Sequence, residues 1–157
     1  MVSKIFSQNG TGGYDTLSYS YEDAKFHLQG KGFMGYTVFN EANTSSGFLT
    51  KSYFGYNSNY FNTFLDSSET RRLSDNGLIS KIKNVNNYKL LSSSQKRIFP
   101  YVDFTTSTDN LTNTSKTEDY IYDNDGNPTT VTTTYGSNDI ITTVSNIYNL
   151  YGGWGPK

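Results

Sequence analysis

The chain has no cysteine. This excludes a disulfide framework, a thiolate metal site and a cysteine nucleophile. It has one histidine, so imidazole acid–base work or a Ser-His-Asp arrangement must pass through His27. Charged residues make up only 17% of 157 positions, and the net charge is −1. No strong field is expected to draw in nucleic acid or an anionic membrane. No apolar run approaches the ~20 residues of a membrane-spanning helix. Met1–Phe6 lacks the apolar centre of a signal peptide. No segment sustains an apolar period of 3.6 residues, which predicts little or no long helix.

Thr, Ser, Asn and Gly fill the space left by charge and aliphatics, and aromatics reach 16%, with 14 Tyr and 10 Phe. Disordered chains are poor in aromatics, so this is not a disorder signature. It suits β-structure with one apolar-aromatic face and one polar face. Tyr serves there because its ring packs while its hydroxyl stays wet.

Strand periodicity starts where Leu17, Tyr19 and Tyr21 alternate with Ser18, Ser20 and Glu22. A break at Gly30-Lys31-Gly32 leads into a strand over 33–40, where Gly35 marks a bulge or a close backbone approach. Turns follow at 43–47 and 57–59, with a strand over 48–56 between them. Residues 60–65 fit a short strand or one helical turn equally well. Asn76-Gly77 is a hairpin signal between strands at 68–73 and 78–83. Strands are expected at 88–91, at 97–106 with an interruption at Pro100, and at 140–148; residues 9–13 and 151–157 read as loops. The whole is an all-β chain, an antiparallel sheet of successive hairpins with little helix, its curvature or partial closure left open.

One stretch reads as a complete hairpin. Tyr120 and Tyr122 share a face on the way in, and Asp123 to Asn127 is turn chemistry with Gly126 supplying positive φ. Pro128 opens a β-branched run, Thr129 to Thr134. This Tyr-x-Tyr-Asp-x-x-Gly-Asn pattern resembles the YD repeat of the Rhs/YD-repeat proteins. Tyr19-Ser20-Tyr21-Glu22 with Gly30-Lys31-Gly32-Phe33-Met34-Gly35-Tyr36 is similar to the segment that precedes the repeats there. Lys96-Arg97-Ile98-Phe99-Pro100-Tyr101-Val102 with Thr108-Asp109-Asn110-Leu111-Thr112 resembles a stretch of such proteins from Bacteroidetes-like bacteria. The three segments occur in family order.

The resemblance implies that residues 1–157 form one β-rich section of a much larger, exported polypeptide, secreted or at the cell surface. Such regions build a β-shell that, in toxin-type members, encloses a C-terminal effector. The implied partners are neighbouring repeat segments, met through edge strands, and the enclosed effector. Tyr19, Tyr21, Gly30, Gly32, Phe33, Gly35, Phe99, Pro100, Tyr101, Tyr120, Tyr122, Asp123, Gly126 and Asn127 would then be structural residues. No catalytic, cofactor or metal residue is expected.

The sharper readings are each outweighed. His27 sits between Phe26 and Leu28 without a nucleophile elbow. Asp119, Asp123 and Asp125 lack the spacing and distal Glu of a calcium loop, and a hairpin turn explains the latter two. Glu22, Glu41 and Glu69 carry no surrounding motif. The run from Arg71 to Arg97 interleaves cations with Tyr88 and Phe99, but lysine on strands is a common guard against edge pairing. The alternative to a shell section is a stand-alone surface module that binds a glycan or a protein through exposed aromatics.

Overall fold

A computed structural model describes residues 1–92, 94–95, 97–136 and 140–146. Lys96, the end of the last expected strand at 147–148 and the expected loop at 151–157 lie outside them. Ten strands follow one another: β1 (Lys4–Gln8), β2 (Tyr14–His27), β3 (Gly32–Asn43), β4 (Phe48–Asn57), β5 (Asn62–Arg72), β6 (Leu78–Ser92), β7 (Arg97–Asp109), β8 (Thr114–Tyr122), β9 (Pro128–Tyr135) and β10 (Ile140–Ser145). They form a single sheet in chain order, each antiparallel to the next. The described residues contain no helix. β1 and β10 do not meet, so the sheet is not closed.

The turns explain the richness in Asn and Asp. Six hairpins are closed by an Asx side chain that accepts amides two to four residues ahead. Asn9, Asn43, Asn57, Asp75, Asp109 and Asp123 each do this with Oδ1, at 2.8 to 3.2 Å. The device is local, acting within four residues of the side chain that supplies it.

Four expectations need correction. β1 was not anticipated, since five residues beside a Gly-rich loop show little alternation; its order comes from pairing with Tyr14–Ser18. The strands expected at 78–83 and 88–91 are one 15-residue strand, β6. The Asn-rich middle reads as a break, yet Asn84 to Asn87 pair with Thr105 to Tyr101 of β7, and Asn84 and Asn86 also donate their side-chain amides to the Leu65 carbonyl at 3.1 and 3.0 Å. Pro100 does not interrupt β7. It pairs with Tyr88 on β6, and the ladder to β8 begins only at Phe104, so the missing N–H breaks nothing there. Residues 60–65 divide: Tyr60 and Phe61 close a turn, with Phe61 at φ 57°, and β5 starts at Asn62.

The expected bulge at Gly35 is present. Lys25 faces Gly35 and Phe26 faces Phe33, so Met34 is the extra residue, and Gly35 takes φ 118°. Elsewhere, a large ring replaces a missing side chain: Phe64 lies over Gly55 so closely that an added Cβ would sit 2.3 Å from the ring.

The described residues form no apolar core. Among the described residues no hydrophobic side chain is buried, and the two buried residues are polar, Asn40 at 8% and Glu69 at 7% exposed. The surface is 11,022 Å². A compact protein of 17.6 kDa is expected to expose about 7,900 Å². The observed surface is roughly 40% above that scaling value.

Candidate functional site

Pairing sets which residues face the same side. Direct partners across antiparallel strands point the same way. Ser20, Asn40, Lys51, Glu69, Lys81, Thr108 and Ser115 therefore form one polar row running from β2 to β8. Tyr21, Phe39, Ser52, Ser68, Ile82 and Ser107 form a row on the opposite face.

The site residues expected from sequence fall into two groups on different parts of the sheet. On β2 and β3, Tyr19 stacks on Phe39 at 5.7 Å, and Tyr21 tilts against Phe39 at 5.3 Å and Tyr36 at 4.8 Å. The Tyr21 hydroxyl donates to the Val2 carbonyl at 3.1 Å. Phe33 joins the cluster between Phe26 and Tyr36 and stays half exposed. Gly30 and Gly32 close the turn at φ 114° and 72°, with open space around both.

The second group gathers on β7, β8 and the following turn. Phe99 stacks on Tyr101 at 6.1 Å, Tyr101 tilts on Tyr122 at 5.1 Å, and Tyr122 stacks on Tyr120 at 6.3 Å. The Tyr122 hydroxyl donates to the Val102 carbonyl at 2.8 Å. Partial burial pushes its pKa up, with Tyr120, Asp103 and Tyr101 adding to the rise. The rings line a shallow groove of about 460 Å³ together with Tyr88, Lys89 and Asp103. Asp123 is spent on its own turn: Oδ1 accepts the amides of Asp125 and Asn127 at 2.9 Å, and Oδ2 accepts the Asn127 side-chain amide at 3.0 Å. Pro128 heads β9 opposite Tyr122.

The Asn127 side chain, followed by the backbone amides, holds the Asp123 carboxyl below the usual aspartate range. A depressed pKa contributes order that is present above the ordinary aspartate value and lost as pH falls through the folded one. Asp123→Ala is expected to speed amide exchange at Asp125 and Asn127, while Leu111 and Thr112, held by Asp109, stay unchanged. Equal acceleration at both turns would argue against a local role.

His27 accepts the Lys31 amide on Nδ1 at 3.3 Å, and its ring lies 4.2 Å from Phe61. Lys31 in turn sits over the Phe61 ring at 5.1 Å. These contacts tie two neighbouring hairpin tips together. Among the described residues, no three His, Asp or Glu side chains gather as a metal site would require.

Sequence reasoning missed the charged hub. Glu69, set aside for want of a motif, takes Arg71 on Oε2 through Nε at 3.0 Å and Nη2 at 2.8 Å, and Lys81 on Oε1 at 2.9 Å. Along the same row, Asn40 donates to Ser20 at 3.0 Å and Glu22 at 3.1 Å, while its buried Oδ1 has no partner. The spacing of Glu69 and Arg71, two apart on one strand, was the one available signal; the Lys81 contribution needs the β5–β6 register. No family model, curated protein or solved structure matches this chain.

Proposed function

We propose that this chain is a non-catalytic structural section of a larger β-sheet, of the kind that YD-repeat polypeptides use to enclose or present a C-terminal effector. The observation that carries the reading is the uncovered single layer, in which no apolar side chain is buried among the described residues. A sheet with exposed Phe6, Phe26, Phe33, Ile121 and Ile141 on it gains stability when something covers it. The side chains that the resemblance singles out hold turns and stack across strands, which are duties of a wall. Its neighbours would be adjoining sections of the same polypeptide.

The test is calorimetry of the dilute chain, at concentrations where sedimentation shows a monomer. A wall section without a core should lose strand signal gradually, with little cooperative heat uptake. A sharp transition with the heat capacity change of an ordinary 157-residue domain would overturn the proposal. That outcome would favour the stand-alone module, with the groove beside Tyr101 and Tyr122 as the place to look for a glycan.

A further inference from the structure

Asn-Gly occurs twice, at Asn9-Gly10 and at Asn76-Gly77, and both asparagines are exposed in turns. Asparagine is among the thermally labile residues. Its side-chain carbon can be attacked by the backbone nitrogen of the next residue, and a glycine there has no side chain to hinder the approach. The fold holds the two pairs in opposite ways.

At Asn9 the side-chain carbonyl is activated. Oδ1 accepts three hydrogen bonds, from the Thr11 amide, the Thr11 hydroxyl and the Gly13 amide, each at 3.0 Å. Donors at that distance stabilise the negative charge that an attacked carbonyl oxygen acquires. Among the described residues nothing accepts the Gly10 amide, so the attacking nitrogen is free. Beyond its chain neighbours, nothing lies within 4 Å of the position a Gly10 Cβ would take.

At Asn76 the nitrogen is restrained instead. The Gly77 amide donates to Asp75 Oδ1 at 2.9 Å. The charge of that carboxylate opposes the loss of the amide proton, which attack requires. The Arg71 guanidinium, 2.9 Å from the Asn76 backbone carbonyl, works the other way, but Glu69 already holds it through Nε and Nη2. Among the described residues no donor reaches the Asn76 side-chain carbonyl.

We propose that Asn9 is a site of spontaneous deamidation, selected over Asn76 by the fold. The Gly10 nitrogen gives its proton to solvent base and bonds to Cγ, and the carbonyl electron pair moves onto Oδ1. When that pair returns, the Cγ–Nδ2 bond breaks and Nδ2 leaves as ammonia with a proton from water. Water then opens the cyclic imide at either carbonyl, leaving aspartate or isoaspartate at position 9. Both products add a negative charge. Isoaspartate also adds a methylene to the backbone. It therefore lengthens the turn that the Asn9 amide closes on the Gly13 carbonyl at 3.1 Å, beside the Gln8–Tyr14 pair. None of this depends on the shell reading.

The test is peptide mass spectrometry of the full chain after incubation at mildly alkaline pH, with the two products separated by chromatography. The folded chain should convert Asn9 well before Asn76. In urea, where neither set of bonds persists, the two rates should converge. Thr11→Val removes one of the three donors and should slow conversion at Asn9 about two- to tenfold, the net worth of one hydrogen bond, leaving Asn76 unchanged. Asp75→Asn keeps an acceptor without its charge and should speed conversion at Asn76 alone. Conversion of Asn76 as fast as Asn9 in the folded chain, a Thr11→Val rate at Asn9 equal to that of wild type, or an Asn76 rate unmoved by Asp75→Asn would each overturn the proposal.

Discussion

Gly126→Val should open the hairpin that ends at Tyr122. Gly126 sits at φ 91°, where L side chains are strained, and an added Cβ would lie 2.5 Å from the Phe99 ring tip. Two effects therefore act together. The backbone term is about 1–3 kcal/mol for a residue held in a sparsely populated region. The contact term is another ~1–3 kcal/mol, unless Phe99 swings away. Amides of β8 and β9 should exchange faster by at least about tenfold, since 1.4 kcal/mol is a factor of ten. Gly47 is the internal control, because it has φ 74° and nothing within 4 Å, so Gly47→Val carries the backbone term alone. Adding Phe99→Ala to Gly126→Val should recover the difference between the two sites. Equal effects of both glycine variants, unmoved by Phe99→Ala, would remove the contact from the account.

Glu69→Gln should loosen the middle of the sheet. The side chain keeps its shape but loses its charge, leaving Arg71 and Lys81 beside each other. Hydrogen bonds to charged groups contribute about 1.5–3 kcal/mol. Lys81 is 42% exposed, so water screens its share and the sum is expected at about 1–3 kcal/mol. Lys81 above all, and then Arg71, holds the Glu69 carboxyl below the usual glutamate range against the opposing effect of burial. The contribution is thus fully present above the ordinary glutamate value and disappears as pH falls through the depressed one. Amides of β5 and β6 should lose protection in Glu69→Gln at neutral pH, and the difference from wild type should vanish in acid. Lys81→Met in the same chain should return part of the loss by removing the unmatched charge. A constant difference at every pH would mean that packing, and not charge, holds this region.

The hairpins were readable because their causes are local. Asp123, Gly126 and Asn127 write one turn within five residues, and Asn43 and Asp109 act on amides two and three residues ahead. The alternation of Tyr19 and Tyr21 and the bulge at Gly35 belong to the same class. Where the reading failed, a distant partner decided. β1 is a strand because Tyr14–Ser18 offers it a ladder, and the Asn-rich centre of β6 is strand because Tyr101–Thr105 of β7 offers it one, with the Leu65 carbonyl taking two of its side-chain amides. Pro100 is tolerated because β8 does not reach it.

By itself, then, the amino-acid order determined an all-β chain of successive antiparallel hairpins and most of its turn residues. These follow from φ preference, side-chain branching and period-two alternation, which act over a few residues. Only the tertiary structure decided that the hairpins join into one open layer, that Glu69 meets Lys81, and that Phe99 lies over Gly126. Those outcomes depend on register between strands, and a shift of one residue would turn each of these side chains to the other face. Closure, too, is a property of the whole sheet, and among the described residues β1 and β10 stay apart.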